Sequence, residues 1–162
     1  MKPLLIAHRG LTAGPDADRE NHPDQLQAAL DSGYDAEIDL WLLDGDQWWL
    51  GHDEPTYKTD IGWVWQRKDR FWIHCKNLQA FFQLRNIAST FNAFWHDTDL
   101  VVLTMQNYVW TYLGKPETEY HHAICVMPEM TYDWPTIEHM VQHSRWHGFC
   151  SDHVDRLRGW LA

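Results

Sequence analysis

The heptapeptide Tyr34-Asp35-Ala36-Glu37-Ile38-Asp39-Leu40 decides how the rest of this chain is read. Ala36, Ile38 and Leu40 alternate with Glu37 and Asp39, the period of a β-strand, in which residues i and i+2 point to the same face. Glu37 and Asp39 therefore stand side by side. Two carboxylates held that way repel each other unless a cation lies between them. Two histidines frame the pair in the sequence, His8 in "LLIAHRG" and His52 in "WWLGHDEP". The expectation is a divalent-metal site with two imidazoles nearby.

Working outward, Pro3–His8 reads as a short buried strand and 11–19 as a Gly-, Pro- and Asp-rich loop. Pro23–Ser32 predicts a helix, with Leu26, Ala29 and Leu30 on one face, Pro23 in the first turn and Gly33 at the carboxyl cap. Ala36–Leu42 is a strand. Asp44-Gly45 signals a hairpin, and Gln47–Leu50 returns from it. Residues 54–70 read as irregular. Phe71–Lys76 predicts a strand and Leu78–Thr90 a second amphipathic helix. Ala93–His96, Leu100–Thr104, Ala123–Met127 and Gly148–Ser151 predict further strands, and Thr136–Ser144 a helix. Turn signals fill 105–121, notably Gly114-Lys115-Pro116, and an amphipathic turn or helix closes the chain. Strands alternating with helices argue for α/β architecture with a largely parallel sheet. Polar residues follow the apolar strands: His8, Asp39, Lys76, His96, Glu129 and Asp152. That is where parallel α/β proteins collect their function.

The chain has 162 residues, the size of one domain spanning 1–162. Its 13 basic and 23 acidic residues give a net charge of −10, which opposes binding to nucleic acid or anionic membranes. A small phosphorylated substrate is not excluded, because a bound metal and local cations reverse the field inside a cleft. Cys75, Cys125 and Cys150 are odd in number, lack short spacing and sit in apolar runs, so buried thiols are expected. No stretch approaches the ~20 apolar residues of a membrane span, and a cytoplasmic location is the default expectation. Most of the eleven Trp are expected in the core or in pocket walls.

The ordered set His8-Arg9-Gly10, Glu20-Asn21, Glu37-x-Asp39, Asp44-Gly45, His52-Asp53 and Lys76 resembles the glycerophosphodiester phosphodiesterase family. The family belongs with the phosphatidylinositol-phospholipase-C-like phosphodiesterases. The resemblance is close over residues 5–53, weaker over 71–77 and a trace at 148–152. It implies a TIM barrel. A full barrel takes about 250 residues, so the expectation here is a compact, helix-depleted, TIM-barrel-like α/β fold. The resemblance also implies that His8 and His52 are the general acid/base pair and that Glu37 and Asp39 bind a divalent cation, usually magnesium or calcium. It places Glu20 in or beside the metal site, and Arg9 and Lys76 at the phosphate. The implied activity is metal-dependent hydrolysis of a small polar phosphodiester.

One position departs from the family. Where the family carries a Glu two residues before the lysine, this chain has His74, on the same strand face as Lys76. A neutral imidazole in a carboxylate's place tilts the site from magnesium or calcium towards manganese or zinc; alternatively, His74 contacts substrate. His96 is a further candidate for substrate contact. The plainer readings are specific too. Glu20-Asn21 could cap the following helix, and Glu129 and Asp152 could simply end strands in turns. His121-His122 reads as a surface pair, and "GWVWQRKDRFW" (62–72) as a wall or lid. Competing functions on the same scaffold are a lyase, a phosphomonoesterase, or a non-catalytic phosphate- or sugar-phosphate-binding protein. The oligomeric state is not legible.

Overall fold

A computed structural model describes residues 2–115 and 118–161. The turn expected at Gly114-Lys115-Pro116 therefore lies partly outside the described residues. Among the described residues ten strands form one mixed sheet. They are β1 (Leu4–Ala7), β2 (Asp35–Leu43), β3 (Gln47–Leu50), β4 (Tyr57–Thr59), β5 (Phe71–Cys75), β6 (Asn92–Phe94), β7 (Val101–Leu103), β8 (Val109–Tyr112), β9 (Ala123–Val126) and β10 (Gly148–Ser151). The helices that flank them are α1 (Pro23–Asp31), α2 (Ile61–Trp65), α3 (Leu78–Ile87), α4 (Trp134–His143) and α5 (Val154–Gly159).

The parallel run has the order β6-β5-β2-β1-β10-β9-β8. Antiparallel strands decorate it: β3 and β4 continue from the carboxyl half of β2, and β7 pairs with β8. The sheet curls on itself without closing. Between β6 and β7 there is no ladder among the described residues, although the Met105 amide donates to the Ala93 carbonyl at 2.9 Å. The result is an open half-barrel with a general likeness to TIM-barrel-type phosphoesterase folds, rather than the closed form.

Side-chain alternation sorts the core into layers. On β2, Ala36, Ile38, Leu40 and Leu42 face outward and pack under α1 and α3 with Leu26, Ala80 and Leu84. On the other flank, Leu5, Ala7, Ala123, Cys125 and Phe149 pack with Ile137, Val141 and Leu157 of α4 and α5. Inside the curl, Ile6, Trp72, Phe94, Trp110, Ile124 and Cys150 form a third cluster. Trp110 lies 4.9 Å from Phe94 and 5.6 Å from Trp72, ring centre to ring centre. Aromatic bulk thus fills the space beside the gap in the sheet.

Helix α1 begins and ends near the expected bounds. Pro23 opens it, the His22 ring accepts the Asp24 amide (3.2 Å), and Gly33 follows with φ +91°. Its Leu26 is fully buried, which contributes roughly 1.5–3 kcal/mol. Three expectations need correction. Residues 54–70 are not irregular but hold β4 and α2, and 105–121 hold β8. The Trp-rich segment is no lid: Trp63 packs on Phe71, Trp65 on Phe91, and Trp72 lies inside the curl. The three cysteines are free and buried, and burial pushes their thiols up. Among the described residues no helix is long and apolar enough to cross a membrane.

Candidate metal centre and active site

The carboxyl ends of β1, β5 and β6 and the middle of β2 converge on a cavity of about 410 Å³. His8, Arg9, Glu20, Glu37, Asp39, His52, His74 and His96 all line it, together with Asp152. Lys76 lies behind, with Nζ 3.6 Å from Asp39 Oδ1. The structure therefore brings the sequence-derived candidates into one place.

Local structure explains how. β1 ends in a 3-10 turn at His8–Gly10, within which Arg9 takes φ 50°. This turns the Arg9 amide onto Glu37 Oε2 (3.0 Å) and its Nη1 onto Glu20 Oε2 (2.8 Å). Gly10, at φ +80°, follows; a Cβ there would meet Leu26 Cδ2 at 2.9 Å, so α1 can approach only a glycine. Asn21 is fully buried with φ 58°. Its Nδ2 donates to Asp39 Oδ2 and its Oδ1 accepts the Asp39 amide, both at 2.9 Å. The Glu20-Asn21 pair is thus not the helix cap, which is His22. Arg9, Asn21 and the cavity-lining Met127 are three of the six non-glycine residues with positive φ among the described residues. Clustered backbone strain of this kind costs of order 1–3 kcal/mol per residue and marks functional sites.

Glu37, Asp39 and His74 form a three-residue cluster whose ligand atoms lie within 4.8 Å of one another. Glu37 and Asp39 are 3% and 1% exposed. His74 Nδ1 lies 3.0 Å from Asp39 Oδ1, yet that buried oxygen has no hydrogen bond of acceptable geometry. A buried carboxylate oxygen without a proper donor is what a cation site looks like in its protein groups. The donor set of two carboxylates and one imidazole suits a divalent metal. Glu20 lines the cavity outside this cluster, with its carboxylate engaged by Arg9. His96 stacks on His74 with ring centres 4.6 Å apart and planes 6° apart, and its Nδ1 is buried without a hydrogen bond.

Electrostatics set the two acids apart. Burial, then the neighbouring Asp39 charge, raises Glu37 well above the ordinary carboxylate range. Burial also pushes Asp39 up, but His74, Arg9 and Lys76 outweigh it, and the net shift is down. His74 is lowered, burial prevailing over Asp39. His96 is lowered by burial and by His74 and Lys76. For His8, burial pulls downward, but the hydrogen bond to Asp152 and the Glu37 charge raise it overall. Four carboxylates (Glu20, Glu37, Asp39, Asp152) meet two permanent cations, Arg9 and Lys76. An anionic substrate would be repelled here without an added cation.

Asp152 and Glu129 are the residues whose part sequence reasoning left open. Asp152 Oδ1 is 2.8 Å from His8 Nδ1. Glu129 Oε1 in turn accepts Ser151 Oγ (2.6 Å) and the Asp152 amide (3.1 Å). His8 Nε2 then faces Glu37 Oε2 at 4.0 Å. His52 has a weaker version of the same arrangement, Nδ1 lying 2.7 Å from the exposed Asp53. The signal in the sequence was placement alone, since both Glu129 and Asp152 follow apolar strands. His121 and His122 are exposed, as a surface pair should be.

Comparison of the chain with protein-family models, curated proteins and solved structures finds no significant match in any of the three. What the structure itself defines is an α/β half-barrel carrying a buried Glu/Asp/His cluster suited to a divalent metal.

Proposed function

We propose that the chain, folded as one barrel-like domain, is a metal-dependent phosphodiester hydrolase of the glycerophosphodiester phosphodiesterase type. The observation that carries this reading is the Glu37–Asp39–His74 cluster sharing one cavity with His8 and His52. Glu37, Asp39 and His74 hold one divalent ion, which when bound supplies positive charge to offset the phosphoryl oxygens. An imidazole in the set favours manganese or zinc over the magnesium or calcium usual for the family.

This chain's own residues do the rest. Asn21 fixes the Asp39 carboxylate, and the Arg9 amide fixes Glu37. Asp152 holds His8 Nδ1 and leaves Nε2 for the substrate. With its pKa raised, His8 is the proton donor to the leaving alkoxide, and His52 takes the proton from the attacking water. The water oxygen bonds to phosphorus, the ester P–O bond breaks, and the alcohol departs carrying the proton from His8. Arg9, Lys76 and His96 contribute donors beside the phosphoryl group.

The test is a pair of variants assayed beside metal binding. His8→Ala and His52→Ala should each lower kcat at least ~100-fold while metal affinity, read by calorimetry, stays within a few-fold. Full activity in both variants rejects the assignment. So does failure of the wild-type chain to bind any of manganese, zinc, magnesium or calcium.

A further inference from the structure

The cavity has two chemically different halves. One carries the histidines, carboxylates and Arg9 described above. The other is Trp110, Tyr112, Val126, Met127 and Met130, and it has no charge. Trp110, Val126 and Met127 are buried, whereas Tyr112 (37% exposed) and Met130 (65% exposed) stand at the rim.

Two independent features show that this half is built rather than left over. The first is the gap in the sheet. Trp110 and Tyr112 are the residues of β8 that alternate inward, and β8 with its partner β7 borders the unclosed side. The Trp110 indole, backed by Phe94 and Trp72, forms a flat floor there. The second is the backbone at the end of β9. Met127 holds φ 50°, an unfavourable region for a long side chain. It is kept there by the hydrogen bond that its backbone N–H donates to the Cys150 carbonyl (2.8 Å) and by the turn Pro128–Met130 that follows. That turn sets both Met127 and Met130 on the cavity. Thioethers and aromatic rings adapt to apolar shapes and offer little to a phosphate or a polyol.

We infer, resting on the phosphodiesterase reading above, that the substrate is a phosphodiester with one apolar alcohol. That group, an aromatic ring or a short alkyl chain, seats on Trp110, Tyr112, Met127 and Met130. The phosphoryl group lies over Glu37, Asp39 and His74. This replaces the small polar substrate that the sequence led one to expect.

The experiment uses the metal-loaded chain and three glycerol phosphodiesters whose second alcohol is benzyl alcohol, hexanol or glycerol. Glycerol is the most acidic of the three alcohols and hence the best leaving group, so a higher kcat/KM for the benzyl or hexyl ester reads recognition and not leaving-group chemistry. The benzyl or the hexyl ester should exceed the bis-glyceryl ester by about tenfold or more, and the stronger of the two distinguishes ring from chain. Met130→Glu and Tyr112→Ser, both at the solvent-exposed rim, should each shrink that ratio through a higher KM for the apolar ester. A bis-glyceryl ester turned over as well as the other two overturns the inference and leaves the phosphodiesterase reading standing. No turnover of any of the three with manganese, zinc or magnesium overturns both.

Discussion

Strand β2 carries acids at its amino end and at its middle, and they are treated in opposite ways. At the amino end Asp35 is tied down completely: Oδ1 accepts Arg70 Nε (2.6 Å), and Oδ2 accepts Trp72 Nε1 (3.1 Å). At the middle of the strand Glu37 and Asp39 are as deeply buried, yet Asp39 Oδ1 has no satisfactory donor and Glu37 faces His8 from 4.0 Å. The first position uses an acid as a structural tie. The second leaves a buried carboxylate oxygen, Asp39 Oδ1, uncommitted, which is tolerable only where something else is to bind.

The comparison breaks most decisively at metal binding. Asp39→Asn should weaken manganese or zinc affinity by about 100-fold or more, beyond the 10–100-fold typical of residues that merely support a ligand. Asp35→Ala should leave affinity within about threefold and instead cost roughly 1–3 kcal/mol of stability, because Trp72 Nε1 is left buried without an acceptor. Calorimetry and urea unfolding on both variants check the two halves of this contrast. Equal effects of the two substitutions on metal affinity would erase it.

Titration sharpens it further. Glu37 has its folded pKa above the unfolded value, so the unfolded chain ionises first as pH rises. Metal-free stability from this group is therefore lost from the ordinary carboxylate range upward, through the raised pKa. Asp39, lowered on folding, acts with the opposite sign: its contribution is present above the carboxylate range and disappears in acid. Unfolding curves in chelator at pH 5 and pH 8 should show Glu37→Gln gaining on the wild type as pH increases. With saturating metal at pH 8 the order should reverse. Parallel curves for the two proteins would contradict the assignment of the raised carboxyl.

The smallest expected effect is at the turn that carries the site. Gly10→Ala places a Cβ 2.9 Å from Leu26 Cδ2 on a backbone at φ +80°, for a loss of about 1–2 kcal/mol. Thermal unfolding measures it. A neutral result would mean that α1 moves aside without consequence for Arg9 and His8.

Much of this was legible in the chain before any coordinates. The alternation through Ala36–Leu40 placed Glu37 and Asp39 on one face, and the His74-x-Lys76 spacing did the same on β5. Both are consequences of backbone period, which acts between near neighbours. The helix at Pro23 announced itself through its proline, its apolar stripe and Gly33. Strand β8 did not, because Val109–Tyr112 is four residues long and lies among turn signals. Its parallel partner β9 supplies the hydrogen bonds that make it a strand. The Asp152–His8 pair was equally hidden, since its members are 144 positions apart. Asn21 stood in plain view beside Glu20, but its attachment to Asp39 depends on the fold of the loop after β1.

The amino-acid order by itself determined that this protein has paired acids on a strand, histidines at strand ends and an α/β alternation of elements. Those features follow from interactions a few residues long. Only the tertiary structure decided that the sheet stays open beside β6, that Trp110 and Met127 line an uncharged half of the cavity, and which carboxylate oxygens go without a donor. Each of these depends on which distant strands meet, and burial and hydrogen-bond satisfaction are settled only when they do.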